Sequence, residues 1–187
     1  MDSLRAGLLM PDIHRIGVLS DTHIPKKAPR VPDAALRHFE EVELILHAGD
    51  ISTLAVLDQL SAYAPVEAVQ GNVELPEVIA ALPLKREIVV GGCAIGVIHI
   101  LGERTRHARN ARLEFPTARV VIFGHSHIPY TEDVDGLLLL NPGSATVPPS
   151  LQASYVSAGT LDRRQLVCTI AMLTIEDGVP RAEIVAL

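Results

Sequence analysis

The sequence predicts an α/β protein in which two mixed β-sheets pack as a sandwich flanked by helices. Residues 15–69 alternate between apolar strand-like runs and amphipathic helical segments, a pattern typical of parallel strands joined by right-handed crossovers. Later, apolar runs fold back at Gly91-Gly92 and at Asp135-Gly136, which indicates two β-hairpins. We therefore expect a parallel first half and an antiparallel second half, one sheet from each, packed face to face.

Two helices and three strands are expected in the first half. Pro32 followed by Asp33 favours a helix start, because proline fits the first helical position. Leu54, Leu57 and Leu60 recur at a spacing of three, which places them on one helix face. The expected order is strand 15–19, helix 32–41, strand 44–48, helix 52–62 and strand 66–69.

Strands dominate the second half, and a single helix is expected there. Pro116 ends this helix, because proline cannot continue the helical hydrogen-bond pattern. We treat residues 1–14 as an N-terminal extension and 15–187 as one domain, with no linker and no internal repeat. The expected elements are hairpin 87–100, helix 103–114, strand 120–123, hairpin 130–140, and strands 154–161, 166–175 and 183–185.

Composition narrows the function classes. The chain has 187 residues, of which 48% are hydrophobic and 20% charged, as in an ordinary globular protein with one substantial core. Its net charge of −6 argues against general affinity for nucleic acid or an anionic membrane surface. Three Phe, three Tyr and no Trp also argue against a base-stacking surface.

Membrane insertion and secretion are not expected. Apolar stretches are interrupted well before the 18 residues that a membrane-spanning helix needs, and the apolar run at residues 6–10 is too short for a secretory signal. Cys93 and Cys168 are isolated within apolar segments, which is typical of free thiols in a reducing compartment. A cytoplasmic location is therefore expected.

Metal-capable side chains follow five of the expected strands. Carboxylate, imidazole and amide groups together suit divalent ions such as Mn, Fe and Zn, and Ni is a further candidate. Packing alone gives no reason for such side chains to follow a strand five times. Because open α/β sheets place their sites beyond the strand carboxyl ends, the pattern predicts a metal site there. The five segments are Asp21-Thr22-His23, Gly49-Asp50, Gly71-Asn72, His99 and Gly124-His125-Ser126-His127.

The order D-x-H, G-D, G-N, H and G-H-x-H resembles that of the calcineurin-like metallophosphoesterase superfamily. The resemblance extends from residue 16 to about residue 147. The small size and the segment from Ser20 to Pro25 are similar to the compact bacterial and archaeal phosphodiesterase branch. The resemblance implies a four-layer fold and hydrolysis of a phosphate ester by a hydroxide shared between two divalent ions. Mn is the first choice, because Asp, Asn and His give mixed oxygen and nitrogen ligands without thiolate.

The same resemblance implies how the seven ligands divide between the two ions. One ion would be held by Asp21, His23 and His127, and the other by Asn72, His99 and His125. Asp50 would bridge both ions, and a carboxylate shared by two cations offsets their mutual repulsion.

One departure from the family bears on substrate choice. Many members carry His or Cys after the Asn of the G-N motif, where a histidine can protonate the leaving group, whereas this chain has Val73. Without that acid, esters with good leaving groups should be favoured, which points to phosphodiesters rather than alkyl monoesters.

Several alternatives remain open at this point. The superfamily includes a retromer subunit, so a catalytically inactive scaffold for protein interaction is one, and a phosphomonoesterase is another. His107 is a candidate for contact with substrate, and Arg104 and Lys26 are candidates for binding its phosphate. The expected partner is a small phosphodiester, and a homo-oligomer is compatible with the sequence.

Overall fold

The computed structural model describes residues 11–149 and 166–187. This part of the chain contains ten strands and four helices. The strands are β1 (Ile13–Leu19), β2 (Leu44–His47), β3 (Val66–Ala68), β4 (Lys85–Val90), β5 (Cys93–Ile98), β6 (Val120–Ile122), β7 (Tyr130–Val134), β8 (Leu137–Asn141), β9 (Thr169–Glu176) and β10 (Val179–Ala186). The helices are α1 (Asp33–His38), α2 (Ala55–Ser61), α3 (Pro76–Ala81) and α4 (His107–Glu114), and a 3₁₀ turn at Arg104–Arg106 precedes α4.

The described residues form two mixed sheets, as the sequence predicts, and each has five strands. The first sheet has the strand order β10-β9-β1-β2-β3, and the second has the order β4-β5-β6-β8-β7. In the first sheet β1 pairs parallel with β2, and β2 with β3, while β9 and β10 add an antiparallel edge. The predicted α/β class and sheet sandwich are confirmed.

The second sheet contains parallel strand pairs that were not expected. The hairpins β4–β5 and β7–β8 are antiparallel, but β5 pairs parallel with β6, and β6 with β8. The expectation of an antiparallel second half is wrong, because α4 carries the chain across the sheet between β5 and β6 and so returns it in the same direction. The consequence is that β5 and β6, like β1 to β3, present their carboxyl ends at a common edge.

Three separate apolar clusters hold four layers together. Alternate residues of the central strands point to opposite faces, so both faces of each sheet are buried. Ile16 and Ile122 belong to the cluster between the sheets. Leu19 packs with the α1 and α2 side chains outside the first sheet, and Val121 packs with α4 outside the second. The order of layers is therefore helix, sheet, sheet, helix.

The element boundaries differ from the expected ones in several places. Helix α1 ends at His38 rather than at residue 41, α2 begins at Ala55, and the expected helix 103–114 starts as a 3₁₀ turn. Helix α3 is not predicted from the sequence, because its six residues are too few for apolar side chains to recur at helical spacing. The expected strand 154–161 lies outside the described residues.

No helix within residues 11–149 and 166–187 has the length and apolar character that crossing a bilayer requires.

Candidate metal centre

All seven predicted ligands lie on loops that leave the carboxyl ends of β1, β2, β3, β5 and β6. Hydrogen bonds between loop backbones hold these segments together: the Asp21 N–H donates to the Gly49 carbonyl at 2.9 Å, and the Gly124 N–H donates to the His99 carbonyl at 3.0 Å. The His125 N–H donates to Asp21 Oδ2 at 3.0 Å and so joins the loops of the two sheets. The site therefore forms where the sheets converge.

The first group of ligand atoms comes from Asp21, His23 and His127. The Nε2 atoms of the two histidines are 3.1 Å apart, and His127 Nε2 is 3.3 Å from Asp21 Oδ1. Asp21 is fully buried, and its Oδ2 accepts hydrogen bonds from the Ser20 hydroxyl and from the backbone N–H noted above. Its Oδ1 is left facing the two imidazoles.

The second group comes from Asn72, His99 and His125. Asn72 Oδ1 is 3.1 Å from His99 Nε2 and 2.9 Å from His125 Nδ1. The Nδ1 atom of His99 lies 2.7 Å from the Ala48 carbonyl, which can only accept, so Nδ1 carries the hydrogen. This contact fixes the ring orientation and leaves the lone pair of Nε2 directed into the site.

Asp50 lies within reach of both groups. Its Oδ2 is 3.3 Å from His99 Nε2 and 3.7 Å from His23 Nε2. Its Oδ1 accepts the backbone N–H groups of Asn72 at 2.8 Å and Val73 at 3.1 Å. Burial raises the pKa of the Asp50 carboxyl, but contact with His99 and the Val73 N–H outweighs burial and lowers the pKa to about 2. The carboxylate is thus charged at neutral pH.

The histidines around these carboxylates show opposite pKa shifts. Burial lowers the pKa of His23, and the nearby Asp50 and Asp21 charges offset only part of this effect. Burial also opposes protonation of His99, but its contact with Asp50 and the charge of Asp21 outweigh that effect and raise its pKa. Because neutral imidazole is the form that binds a metal, the pKa shift of His23 favours metal binding and that of His99 opposes it.

These residues fit a divalent-metal site. Asp21 Oδ1 is buried and has no hydrogen-bond partner among the described residues. The lone pair of neutral His99 Nε2 faces a carboxylate oxygen and an amide oxygen, an arrangement that only a proton or a cation stabilises. Within each of two sets, the convergent ligand atoms lie within 4.8 Å of one another: Asp21, His23 and His127 form one set, and Asp21, Asp50 and His99 form the other. Asp21 thus reaches toward both sets, which the sequence did not indicate.

Backbone strain is concentrated at the same positions. Five of the seven candidate ligands have positive φ, a conformation that non-glycine residues seldom adopt. Such strain costs of order 1–3 kcal/mol per residue and typically clusters at functional sites. The residues are Asp21 (54°), His23 (46°), Asp50 (56°), His125 (70°) and His127 (58°).

Glu74 supports the site and was not identified from the sequence. Its carboxylate accepts the backbone N–H groups of Ile51 at 3.0 Å, Ser52 at 2.6 Å and Gly71 at 2.8 Å. It therefore ties the Asp50 loop to the Asn72 loop. The available signal was a carboxylate three residues after Gly71, in a loop whose buried amides need acceptors.

His47 lies beneath the site and is fully buried. Its Nε2 is 3.1 Å from the Thr22 hydroxyl, so it supports the loop between Asp21 and His23. Burial lowers the pKa of His47 to about 3, although the nearby charge of Asp21 raises it in part. The folded chain therefore keeps this ring neutral under conditions in which the unfolded chain protonates it.

We expect this difference to make the metal-free protein less stable in acid. Between pH 7.5 and pH 5 the unfolded state takes up a proton at residue 47 that the folded state does not, which lowers the free energy of unfolding by about 2 kcal/mol. Urea unfolding in the presence of chelator should show the wild type losing about 2 kcal/mol more than His47→Gln over this interval. The exposed His38 on α1 offers a matched control, His38→Gln, which makes the same substitution and leaves His47 in place. Equal losses in the wild type and His47→Gln would contradict the assignment.

The three other predicted site residues have different surroundings. His107 Nε2 lies 3.0 Å from the Gly102 carbonyl, and its ring packs 4.6 Å from that of Phe123. Burial lowers the pKa of His107. The Arg104 guanidinium lies 4.9 Å above the Tyr130 ring, and Lys26 is exposed. Among the described residues, no hydrogen bond, ion pair or ring contact joins these three residues to the seven candidate ligands, and their roles stay predictions.

Comparison with known proteins identifies the family. A sequence model of the calcineurin-like phosphoesterase superfamily domain matches residues 15–166. The chain belongs to this superfamily. The resemblance seen in the sequence is thereby confirmed, and a metallophosphoesterase fold implies binding of divalent metal.

Relatives and a solved structure agree with this membership. A protein of Methanothermobacter thermautotrophicus named "Probable metallophosphoesterase" is 41% identical over 79% of this chain and 88% of its own length. A protein of Methanocaldococcus jannaschii named as a phosphodiesterase is 28% identical over 69% of this chain and 82% of its own. The crystal structure of a Vps29 single mutant from Entamoeba histolytica superposes with a TM-score of 0.68 at 24% identity, over 92% of this chain and 99% of that one. This last similarity concerns the fold alone.

Proposed function

We propose that this metallophosphoesterase is a dinuclear metal-dependent phosphodiesterase that hydrolyses phosphate esters with good leaving groups. The observation that carries the proposal is the position of Asp50 Oδ2, within 3.3 Å of His99 Nε2 in one ligand group and 3.7 Å of His23 Nε2 in the other. A charged carboxylate between two groups of imidazoles suits two adjacent cations. The phosphodiesterase name of one relative supports the choice of reaction.

The proposed ligand sets follow these contacts. Asp21, His23 and His127 hold one ion, Asn72, His99 and His125 hold the other, and Asp50 is shared. Manganese is our first choice because the set mixes oxygen and nitrogen atoms without thiolate. When bound, the two ions would supply a hydroxide from water and neutralise phosphate oxygens, a contribution of several kcal/mol.

The chain's own residues orient these ligands. Hydrogen bonds from Asn72 N–H and Val73 N–H fix the Asp50 carboxylate, and the Ala48 carbonyl fixes the His99 ring. Val73, whose N–H contacts this carboxylate, is 41% exposed, and its side chain can neither donate nor accept a proton. We therefore propose a small phosphodiester with a good leaving group as substrate. We place the reaction in the cytoplasm, consistent with the free thiols of Cys93 and Cys168.

The first test combines metal analysis with two matched substrates. We expect about two divalent ions per chain and, with added manganese, faster hydrolysis of bis(4-nitrophenyl) phosphate than of 4-nitrophenyl phosphate. Chelation should abolish both activities, and manganese should restore them. Hydrolysis by metal-free protein would overturn the proposal. Faster hydrolysis of the monoester would favour the phosphomonoesterase, and two bound ions without activity would favour a scaffold.

Replacement of Val73 tests the substrate preference. A positioned general acid typically contributes about 10²–10⁴ in rate, and its contribution grows as the leaving group becomes more basic. The wild type should therefore show a steep dependence of rate on leaving-group pKa in a series of methyl phosphodiesters whose second ester group is aryl or alkyl. Val73→His should flatten this dependence, whereas Val73→Gln, which also adds a polar side chain, should not. A flat dependence in the wild type would show that another group already protonates the leaving oxygen.

A further inference from the structure

A pocket opens directly beside the candidate metal centre, and two ligand residues, Asn72 and His99, form part of its wall. Its volume of about 520 Å³ lies within the range of small-molecule sites. Leu84, Ile98 and Ile100 also line it. A phosphate ester could therefore place its organic group in this pocket while its phosphate stays at the candidate metal centre.

Two of the apolar residues that line the pocket are strongly exposed. Leu84 is 70% exposed and Ile100 is 47% exposed, although burial of such side chains is normally favourable. Exposed apolar groups in a concave surface beside polar groups are typical of ligand sites. A ligand that covers them would gain from burial of its own apolar surface and of theirs.

The charged groups of the pocket neutralise each other. The Lys85 ammonium donates to Glu114 Oε2 at 2.9 Å and to the Glu114 carbonyl at 3.2 Å. It also lies 5.5 Å from the centre of the Phe115 ring. Apart from the metal-ligand candidate His99, Lys85 and Glu114 are the ionisable residues among those that line the pocket. The pocket therefore offers no uncompensated positive charge to a second phosphate and favours an uncharged group.

We propose that this pocket binds an uncharged group of the substrate ester that has a large apolar surface, the property that an aryl group and the faces of a nucleobase share. The proposal rests on the proposed function, because the phosphate must be held at the metal centre for its organic group to reach Leu84 and Ile100. It assigns these two residues to substrate specificity and leaves the metal chemistry to the seven ligands.

Calorimetric titration of the metal-loaded protein tests this proposal without measuring catalysis. Methylphosphonate and phenylphosphonate share the metal-binding group and differ in the apolar ring. We expect phenylphosphonate to bind about tenfold more tightly, since partial burial of one ring stabilises a complex by about that factor. Titration with a thymidine 5′-phosphonate distinguishes a nucleobase from an aryl group as the natural occupant. A larger gain in affinity over methylphosphonate than phenylphosphonate shows identifies a nucleobase, and a smaller gain identifies an aryl group.

The variants remove apolar surface without altering charge. Leu84→Asn should reduce the ratio of phenyl to methyl affinity to about threefold, and Leu84→Asn with Ile100→Asn should bring it near one. The control is Val89→Asn, because Val89 is 68% exposed on β4, close to the 70% of Leu84, but does not line the pocket. This control should keep the wild-type ratio and metal content.

The outcomes separate the two proposals. Equal wild-type affinity for methylphosphonate and phenylphosphonate, or an unchanged ratio in the double variant, would overturn the pocket assignment and leave the metal-dependent activity standing. Failure of the protein to bind metal, with neither phosphonate bound, would overturn the proposed function and with it the pocket.

Discussion

Asp50→Asn should abolish hydrolysis and lower the metal content of both sites. The substituted amide can still accept the Asn72 and Val73 N–H groups through its oxygen, so the loop should keep its fold while losing its charge. We expect the rate to fall by about 10³-fold or more, because several kcal/mol of transition-state stabilisation depend on the ions that this carboxylate holds. Steady-state kinetics and metal analysis of the purified variant provide the measurement.

Comparison with other variants makes the Asp50 result specific. Asp58→Asn removes the same charge from the exposed face of α2 and should leave rate and metal content unchanged. His127→Ala should mainly empty the first site and Asn72→Ala the second, so each should retain about one ion per chain. Retention of most activity by Asp50→Asn would refute its assignment as the shared ligand.

Gly71→Ala should damage the metal centre almost as severely, although residue 71 is not itself a ligand. A Cβ atom at this position would overlap Asp50 Oδ1 and the Asp50 backbone nitrogen, so the Asp50 loop would have to move. Misplacement of catalytic groups by about 1 Å typically lowers the rate by about 10²-fold, and we expect at least this loss. The overlap should also lower the free energy of unfolding by about 1–3 kcal/mol.

Gly96→Ala separates the loss of stability from the loss of the site. A Cβ atom at Gly96 would overlap the Phe115 ring in the cluster outside the second sheet, away from the ligands. It should cost a similar 1–3 kcal/mol of stability while keeping two ions per chain. Equal metal content in Gly71→Ala and Gly96→Ala would show that the close approach at Gly71 does not control the metal centre.

Much of the fold could be predicted because its signals are local. The hairpin turns at Gly91-Gly92 and Asp135-Gly136 lie where the sequence predicts them, and both glycines of the first turn have positive φ, of 51° and 72°. The short helix α3 could not be predicted, because six residues give too few turns for a periodic pattern to stand out.

The loops that carry the candidate ligands could be located in the sequence, but the residues that support these loops could not. Asp21 and His99 are recognisable because polar side chains follow apolar strands. Glu74 stabilises three amides of two loops, and His47 supports Thr22 from beneath, yet neither residue type nor spacing distinguishes them from a solvated acid or a core histidine. Their roles depend on which backbone groups lie beside them in space.

The sequence by itself determined the order of the strands and of three of the four helices, the α/β class and the set of loops that carry metal-capable side chains, because periodicity and turn chemistry depend on neighbours along the chain. Only the tertiary structure decided that β5, β6 and β8 run parallel and that His23 Nε2 meets His127 Nε2 at 3.1 Å across 104 positions of sequence. It also decided that Asp21 reaches both ligand groups and that an apolar pocket adjoins Asn72 and His99. The physical reason is that strand partners, loop contacts and cavities arise from packing between distant segments, whose energies no local pattern contains.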